Sequence, residues 1–354
     1  MAADSIVVRR LEPTDGPAID RLGRETPDTG AVAFYSEFHH DAYETLMALH
    51  PGSVGVVAEA PDQRLVGMGL VAFGECQFEG EIRPSAYLNS LGVHPDYRRR
   101  GIASRIAAWR VNEANDRFKA DGREGVIFAA IQGGNLGSVK TAGSWSTEVI
   151  EGRTGGAVVG VRRKPPSPVG GVEVRAARRD ELDRIADEQN RFFSEYNLYP
   201  PETAASLDAW QSQLFFGQRL RECLVAVDAS GQIVAGLGVT EEGPLITGHV
   251  VRLPTALRIA NVFLRVLPPD GTTRRLKVDR FWFAPGELTA ARYLWESSRW
   301  LLRERGTMLM TFFDVSSPIR EAIVLPRFMP SNTGNVAVRA PVTADPARHL
   351  YINP

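Results

Sequence analysis

Three arginines in a row closed by a glycine, Arg98-Arg99-Arg100-Gly101, are the residues best placed to do chemistry. They follow a strand-like run, Leu88-Asn89-Ser90-Leu91-Gly92-Val93, and a tight turn at His94-Pro95-Asp96. They precede an amphipathic helical pattern. Ile102, Ile106 and Trp109 form one apolar line, and Ala103, Ala107, Val111, Ala114 and Phe118 an adjoining one. A loop so placed can cradle an anion, because the first amides of a helix lack intrahelical partners and the macrodipole adds positive charge there. Gly101 lets the backbone approach a phosphate closely, Ala103 keeps bulk away, and the arginines add bidentate donors. The alternative is a basic turn that merely caps a helix. Three cations at a helix N-terminus oppose the macrodipole, however, at about 0.3–1 kcal/mol each unless an anion compensates.

The segment resembles the acyl-CoA signature of the GCN5-related N-acetyltransferase (GNAT) superfamily, Gln/Arg-x-x-Gly-x-Gly/Ala, here Arg98-x-x-Gly101-x-Ala103. The resemblance implies that the preceding strand splays from its neighbour and pairs through Leu91, Gly92 and Val93 with the pantetheine arm. It implies that the loop from Arg98 through Arg99, Arg100, Gly101, Ile102, Ala103 and Ser104 holds the pyrophosphate. Asn135, in Asn135-Leu136-Gly137-Ser138, is a second match at a position that touches CoA in the family, although a plain helix cap explains it equally well. The implied co-substrate is acetyl-CoA, with no metal. The implied activity is N-acetyl transfer to an amine of a small molecule or peptide. A non-catalytic acyl-CoA-binding protein, regulatory or structural, is the runner-up. A protein–protein module of two inactive copies is a third class, which the Arg-Gly loop argues against.

Amine acylation by a thioester asks for a neutral amine, an oxyanion stabiliser and a proton for the leaving thiolate. The Val93 amide can serve the second need. The family's Tyr is missing from Val139-Lys140-Thr141-Ala142-Gly143-Ser144-Trp145, which leaves Ser138, Ser144 or a water for the third. The strand that often carries a Glu in the family offers Tyr87, Asn89 and Ser90, with carboxylates only upstream at Glu75, Glu79 and Glu81. Those carboxylates read more simply as solvated strand-end charges. Glu37, His39 and His40 fall where the family lines its acceptor site, with a surface helix as their plainer reading. The catalytic candidates are therefore Glu81, Asn89 and Ser138, none of them assigned a role.

The elements that must hold this segment follow from periodicity. A strand near 7–10 leads to helices at 13–25 and 36–49, then strands at 54–60, 64–73 and 85–93. The helix from 101 to 119, a strand at 125–131, a short helix after Asn135 and a strand near 156–163 close the first half. The chain then repeats itself. Val172-Glu173-Val174-Arg175 with Arg179-Asp180-Glu181 echoes Val7-Val8-Arg9-Arg10 with Thr14-Asp15, and Val225–Gly238 echoes the hairpin Val57–Gly69. Arg162-Arg163-Lys164-Pro165-Pro166-Ser167-Pro168-Val169-Gly170-Gly171 can join neither a helix nor a central strand. The expected organisation is an acyl-CoA-binding domain at 1–163, a linker at 164–171 and a degenerate copy at 172–354. Both domains are expected to be α/β, of the α+β type with a mixed sheet. In the second copy Phe281-Trp282-Phe283-Ala284-Pro285-Gly286-Glu287 replaces the arginine loop, and Glu287 would repel a pyrophosphate. Phe281, Trp282, Phe283, Trp295 and Trp300 read as core. The tandem architecture is similar to that of mycothiol synthase, but the intact loop lies in the N-terminal copy, which argues against that enzyme's substrate.

Bulk composition agrees. The 354 residues suit two domains, and 44% hydrophobic with 23% charged residues is an ordinary globular balance. A net charge of −1 provides no global field for nucleic acid or a membrane surface. Cys76 and Cys223 are too few for a disulfide framework and read as buried thiols. The first residues lack a signal pattern, no run reaches membrane-spanning length, and no Gly-x-x-x-x-Gly-Lys-Ser/Thr or Gly-x-Gly-x-x-Gly stands in a strand-to-helix turn. A cytoplasmic protein, monomeric or homodimeric, is the expectation.

Overall fold

The computed structural model describes residues 6–27, 33–252, 258, 261, 268, 270–325 and 333–353. In the first half the order is β1 (Val7–Arg10), α1 (Gly16–Glu25), β2 (Ala33–Phe38), α2 (Ala42–Leu49), β3 (Val54–Glu59), β4 (Leu65–Phe78) and β5 (Glu81–Val93). There follow α3 (Ile102–Ala120), β6 (Val126–Ile131), α4 (Leu136–Ala142) and β7 (Glu148–Gly160). The second half begins with β8 (Glu173–Ala176), α5 (Leu182–Phe192), β9 (Tyr196–Asn197), α6 (Ala204–Ser212), β10 (Leu214–Phe215), β11 (Gln218–Arg219), β12 (Arg221–Val227) and β13 (Ile233–Glu241). It continues through β14 (Ile246–Arg252), β15 (Thr272–Thr273), β16 (Arg275–Phe283), α7 (Leu288–Leu301), β17 (Met308–Asp314), α8 (Ile319–Ala322), β18 (Gly334–Arg339) and β19 (His349–Leu350). Among the described residues, no helix is long and apolar enough to cross a membrane.

The two halves open with the same device. Arg9 donates to both oxygens of Asp15 (2.8 Å each), and the Glu12 amide donates to that carboxylate (2.9 Å). Arg175 likewise donates to Glu181 (2.8 and 2.6 Å), which also accepts the Arg178 amide (2.8 Å). Each acid thus fixes the turn between the first strand and its helix. The hairpin tips match as well, Ala60 N–H closing on Arg64 O and Asp228 N–H on Gln232 O, both at 2.9 Å.

A single 12-stranded sheet runs through both halves in the order β1-β3-β4-β5-β6-β18-β7-β17-β16-β13-β12-β8. The last strand of each half has crossed over. β18, from the second half, lies between β6 and β7, while β7 pairs along Thr154–Gly160 with β17. The segment 161–172 connects the halves in the chain without helix or strand, yet the sheet passes unbroken between them. An ion pair secures the crossing. Asp314, with a side chain 0% exposed, takes the Arg153 guanidinium (Nη2 to Oδ2, 2.5 Å), and Arg153 also donates to the carbonyls of Pro346 and Arg348.

The helix expected over 36–49 begins only at Ala42, where the Asp41 side chain accepts the Glu44 amide (3.0 Å). Ahead of it, Ala33-Phe34-Tyr35-Ser36-Glu37-Phe38 is aromatic-rich and forms β2, which pairs antiparallel with β14 of the second half. No helical periodicity could announce a strand whose partner lies more than 200 residues away in sequence. The strands expected at 64–73 and 85–93 extend into a long β4–β5 hairpin, paired from Phe78↔Glu81 to Gly67↔Val93.

The cores follow the apolar lines. Ile102 and Ile106 pack with Val56, Ala58 and Val66, whereas Ala107, Val111, Ala114 and Phe118 pack with Val71, Ala86, Leu88 and Ile127. Phe281, Trp282, Phe283 and Trp295 lie in the second half's core, and Trp300 is half-buried beneath the Arg303 guanidinium. Cys76 and Cys223 are both buried, and burial pushes each thiol up to about 12.

Candidate functional site: an open strand edge before an arginine–glycine loop

β5 and β6 run parallel and pair at only three positions, Ser85↔Val126, Ala86↔Ile127 and Tyr87↔Phe128. Beyond Tyr87 the strands part. The edge of β5 from Leu88 to Val93 facing β6 is therefore open, with backbone donors and acceptors available to an extended ligand. A bulge marks the same place, since Met68 opposes Gly92 and Leu70 opposes Asn89, so that Ser90 and Leu91 together face Gly69. Ser90 adopts φ 52° to make it.

The open edge runs into the loop. His94 N–H donates to Val66 O (2.9 Å), a short 3-10 turn spans Pro95–Tyr97, and Arg98 Nε donates back to Val93 O (3.1 Å). Arg99 and Gly101 both have left-handed backbones, φ 64° and 76°. Arg105 N–H closes on Gly101 O (3.1 Å), so the amides before it precede the first intrahelical bond of α3. A Cβ built on Gly101 would meet no atom within 4 Å. The space in front of the helix N-terminus is open, as an anion there requires. Arg98, Arg99 and Arg100 are exposed around it, Arg100 over the Tyr97 ring at 5.0 Å. His94, only 6% exposed, lies 2.9 Å from an Arg64 nitrogen, and Arg64 is paired with Glu25 (2.8 Å).

The expected residues are not all brought together. Leu91, Gly92, Val93 and the stretch from Arg98 to Ser104 run consecutively as open edge, loop and helix start, except that Ile102 turns inward and is 1% exposed. Asn89 lies on the open edge. Ala86 and Leu88 face α3, so strand alternation turns Asn89 and Tyr87 to the opposite side, where Leu70, paired with Asn89, packs with α1 and α2 residues. Both amide atoms of Asn89 are buried without a hydrogen-bond partner. Tyr87 stacks on Phe128 (5.0 Å) at the apex of the splay, and burial pushes its phenol above the usual range. Glu81 stands apart, at the hairpin end of β5 beside Arg83 (2.6 Å). The seven steps from it to Leu88 span roughly 23 Å at 3.3 Å per residue. Asn135 caps α4, its Oδ1 accepting the Ser138 amide (3.0 Å). Ser138 thus sits in the first turn of α4, held through its backbone.

Glu37, His39 and His40 do not lie on a surface helix. Glu37 accepts from His249 Nε2 (2.6 Å), which holds its carboxyl below the usual range, and His249 stacks on Tyr35 (4.8 Å). His39 bonds Thr247 and Pro244 O, and His40 stacks on Phe216. These contacts join the halves. Sequence reasoning also missed Arg110, a cation that interrupts the apolar pattern of α3 and is 2% exposed. That interruption was its only signal.

The equivalent place in the second half is filled. β16 and β17 also part after Val278↔Thr311, but Tyr351, Phe281 and Phe313 occupy the gap and leave a cavity of about 10 Å³, room for about one water. Asp279, which opposes Gly238 as Asn89 opposes Leu70, is bound to Arg280 (3.0 Å), and Arg280 also holds Glu202 (2.8 Å). Glu287 stands at the N-cap of α7, where the first half has Gly101.

An open parallel-strand edge that leads into the N-terminus of a long helix is the arrangement the comparisons can be set against. Residues 19–142, from within α1 to the end of α4, match the sequence model of the Acetyltransferase (GNAT) family. Solved structures agree on the fold of the whole chain. It is similar to a GCN5-related N-acetyltransferase from Sphaerobacter thermophilus, with 16% identity, a TM-score of 0.59 and 96% of both chains covered. It is also similar to Saccharomyces cerevisiae N-myristoyltransferase with bound myristoyl-CoA, with 11% identity, a TM-score of 0.62, and 96% of this chain and 83% of that one covered. A GCN5-related N-acetyltransferase from Kribbella flavida aligns with a TM-score of 0.51 at 13% identity, over 95% of this chain and 71% of that one. No curated protein matches by sequence. The fold is that of the GNAT acyltransferases.

Proposed function

We propose that the protein is an N-acyltransferase that takes the acetyl group of acetyl-CoA and passes it to an amine of a small molecule or peptide. The observation that carries this reading is the unpaired edge Leu88–Val93, which runs directly into the left-handed Arg99–Gly101 loop and α3. In this reading Leu91, Gly92 and Val93 pair with the pantetheine arm, and the loop from Arg98 to Ser104 holds the pyrophosphate. Bound there, the co-substrate supplies an activated acyl carbon at the splay. The buried, unpartnered amide of Asn89 then faces the acceptor side, able to accept from an amine N–H or donate to a carbonyl. Asn135 caps α4 through its Oδ1, and in this reading its Nδ2 meets the cofactor. In this reading the second half, whose corresponding gap Tyr351 lines, serves as support: its strands complete the sheet and its β14 walls the acceptor side through His249.

The distance of Glu81 from the splay favours one other reading, an acyl-CoA-binding protein without turnover. Calorimetric titration of acetyl-CoA, with Gly101→Glu as control, tests the shared part. Micromolar binding abolished by the variant is expected, and thiol release with a panel of amines then separates catalysis from binding. No binding by the unaltered protein would sink both readings.

A further inference from the structure

The segment after β18 crosses from the first half into the gap of the second. The Ala344 amide donates to Glu148 of β7 (3.0 Å) and the Asp345 amide to Glu79 at the β4–β5 tip (2.9 Å). Arg153 takes the carbonyls of Pro346 and Arg348. The segment then enters the space where β16 and β17 part. Leu350 N–H donates to the Asp314 carboxylate (2.8 Å), Tyr351 N–H to Asn197 O (2.8 Å), and Asn353 Nδ2 to Asp279 Oδ2 (3.3 Å). The Tyr351 ring meets Phe193 and Tyr199 edge-on, at 5.1 and 5.3 Å, and Tyr351 lines the small cavity with Asp279, Arg280 and Phe281.

Two features set this segment apart from a core strand. Among the described residues, its one strand pairing is the two-residue match of β19 with β9, outside the 12-stranded sheet. Its last anchor, Asp279, also holds the place that Asn89 holds on the open edge of the first half. Each precedes a bulge residue of φ 52°, Arg280 in one half and Ser90 in the other. A segment held by side chains and a few hydrogen bonds can leave without breaking the sheet, whereas β16 and β17 cannot. We infer that residues 349–353 form a detachable internal plug, an autoinhibitory contact that closes a second ligand cleft. The plug shows the class of ligand the cleft takes, a phenol-like ring with an N–H donor beside it. Tyr351 supplies the ring, and Asn353 supplies the N–H that Asp279 accepts. The inference does not depend on the acyl-CoA reading, because it concerns the cleft without the arginine–glycine loop.

Two measurements on the full chain test it. Tyr351→Gly should lower the thermal midpoint by about 4–7 °C, the usual loss of a large aromatic spread over 354 residues. p-Cresol, the tyrosine side chain as a free molecule, should return about 2 °C to the variant at about ten times its dissociation constant and leave the unaltered protein unmoved. Hydrogen exchange of the unaltered protein reads detachment directly. The Leu350 and Tyr351 amides should exchange together, about tenfold or more faster than the paired amides of β16 and β17. Exchange at the rate of those strands would make the segment part of the core and overturn the inference, even should the glycine variant fail to fold. A folded Tyr351→Gly protein that p-cresol does not stabilise overturns it equally.

Discussion

Gly101 separates backbone strain from ligand binding in a way that can be measured. At φ 76° an L-residue costs about 1–2 kcal/mol, so Gly101→Ala should weaken the fold by that amount. No protein atom lies within 4 Å of the added Cβ, so no packing penalty is added. Across 354 residues, at about 2.1 cal/mol/K each, the melting temperature should fall by only about 1–3 °C. Gly122, beyond the other end of α3, is the matched control, with φ 62° and equally open space. Gly122→Ala should therefore cost similar stability. Affinity should divide the two variants. The Gly101 methyl enters the space an anion would use, and loss of one charge-assisted hydrogen bond costs about 1.5–3 kcal/mol, or about ten- to a hundredfold in binding. Calorimetry with acetyl-CoA and thermal melts of both variants form the assay. Equal affinities for Gly101→Ala and Gly122→Ala would refute the placement of the pyrophosphate at this helix.

Two further outcomes follow from the fold. Expressed separately, 1–163 and 172–354 should fail to give cooperatively folding monomers, because β7 and β18 each pair with strands of the other half; co-expression should restore a complex. A sharp thermal transition from 1–163 alone would contradict this. Glu181 is held down to about 2, first by the Arg175 hydrogen bonds, against an ordinary 4.5. Its contribution to stability is full above about pH 4.5 and fades as pH falls toward 2, so Glu181→Gln should lose stability at pH 7 and show a flatter acid limb in urea titrations. Parallel acid limbs in the two proteins would remove Glu181 from the account.

Much of the candidate site could be read in the chain because its signals are local. Arg98–Gly101, the Val93-His94-Pro95 turn and the Ile102–Phe118 apolar lines act within a few residues, and the structure places them as one strand, loop and helix. Local patterns also pointed to two alike strand-to-helix turns, which the structure closes with the Arg9–Asp15 and Arg175–Glu181 pairs. Long-range pairing was not legible. Whether Glu81 and Asn89 approach the loop depends on where along β5 the splay falls, and that is set by the parallel register Tyr87↔Phe128. Glu37 looked helical because its partner, β14, lies in the other half.

The sequence by itself determined the Arg98–Gly101 loop and the helix that follows it, since capping, turn geometry and amphipathic period are written in neighbouring residues. Only the tertiary structure decided that the last strands exchange, that Tyr351 lines the second cleft and that the Arg110 guanidinium bonds the carbonyls of Leu70 and Asn89. Those outcomes depend on which sheet edge satisfies which backbone, and edges carry the same hydrogen-bonding groups whatever the sequence.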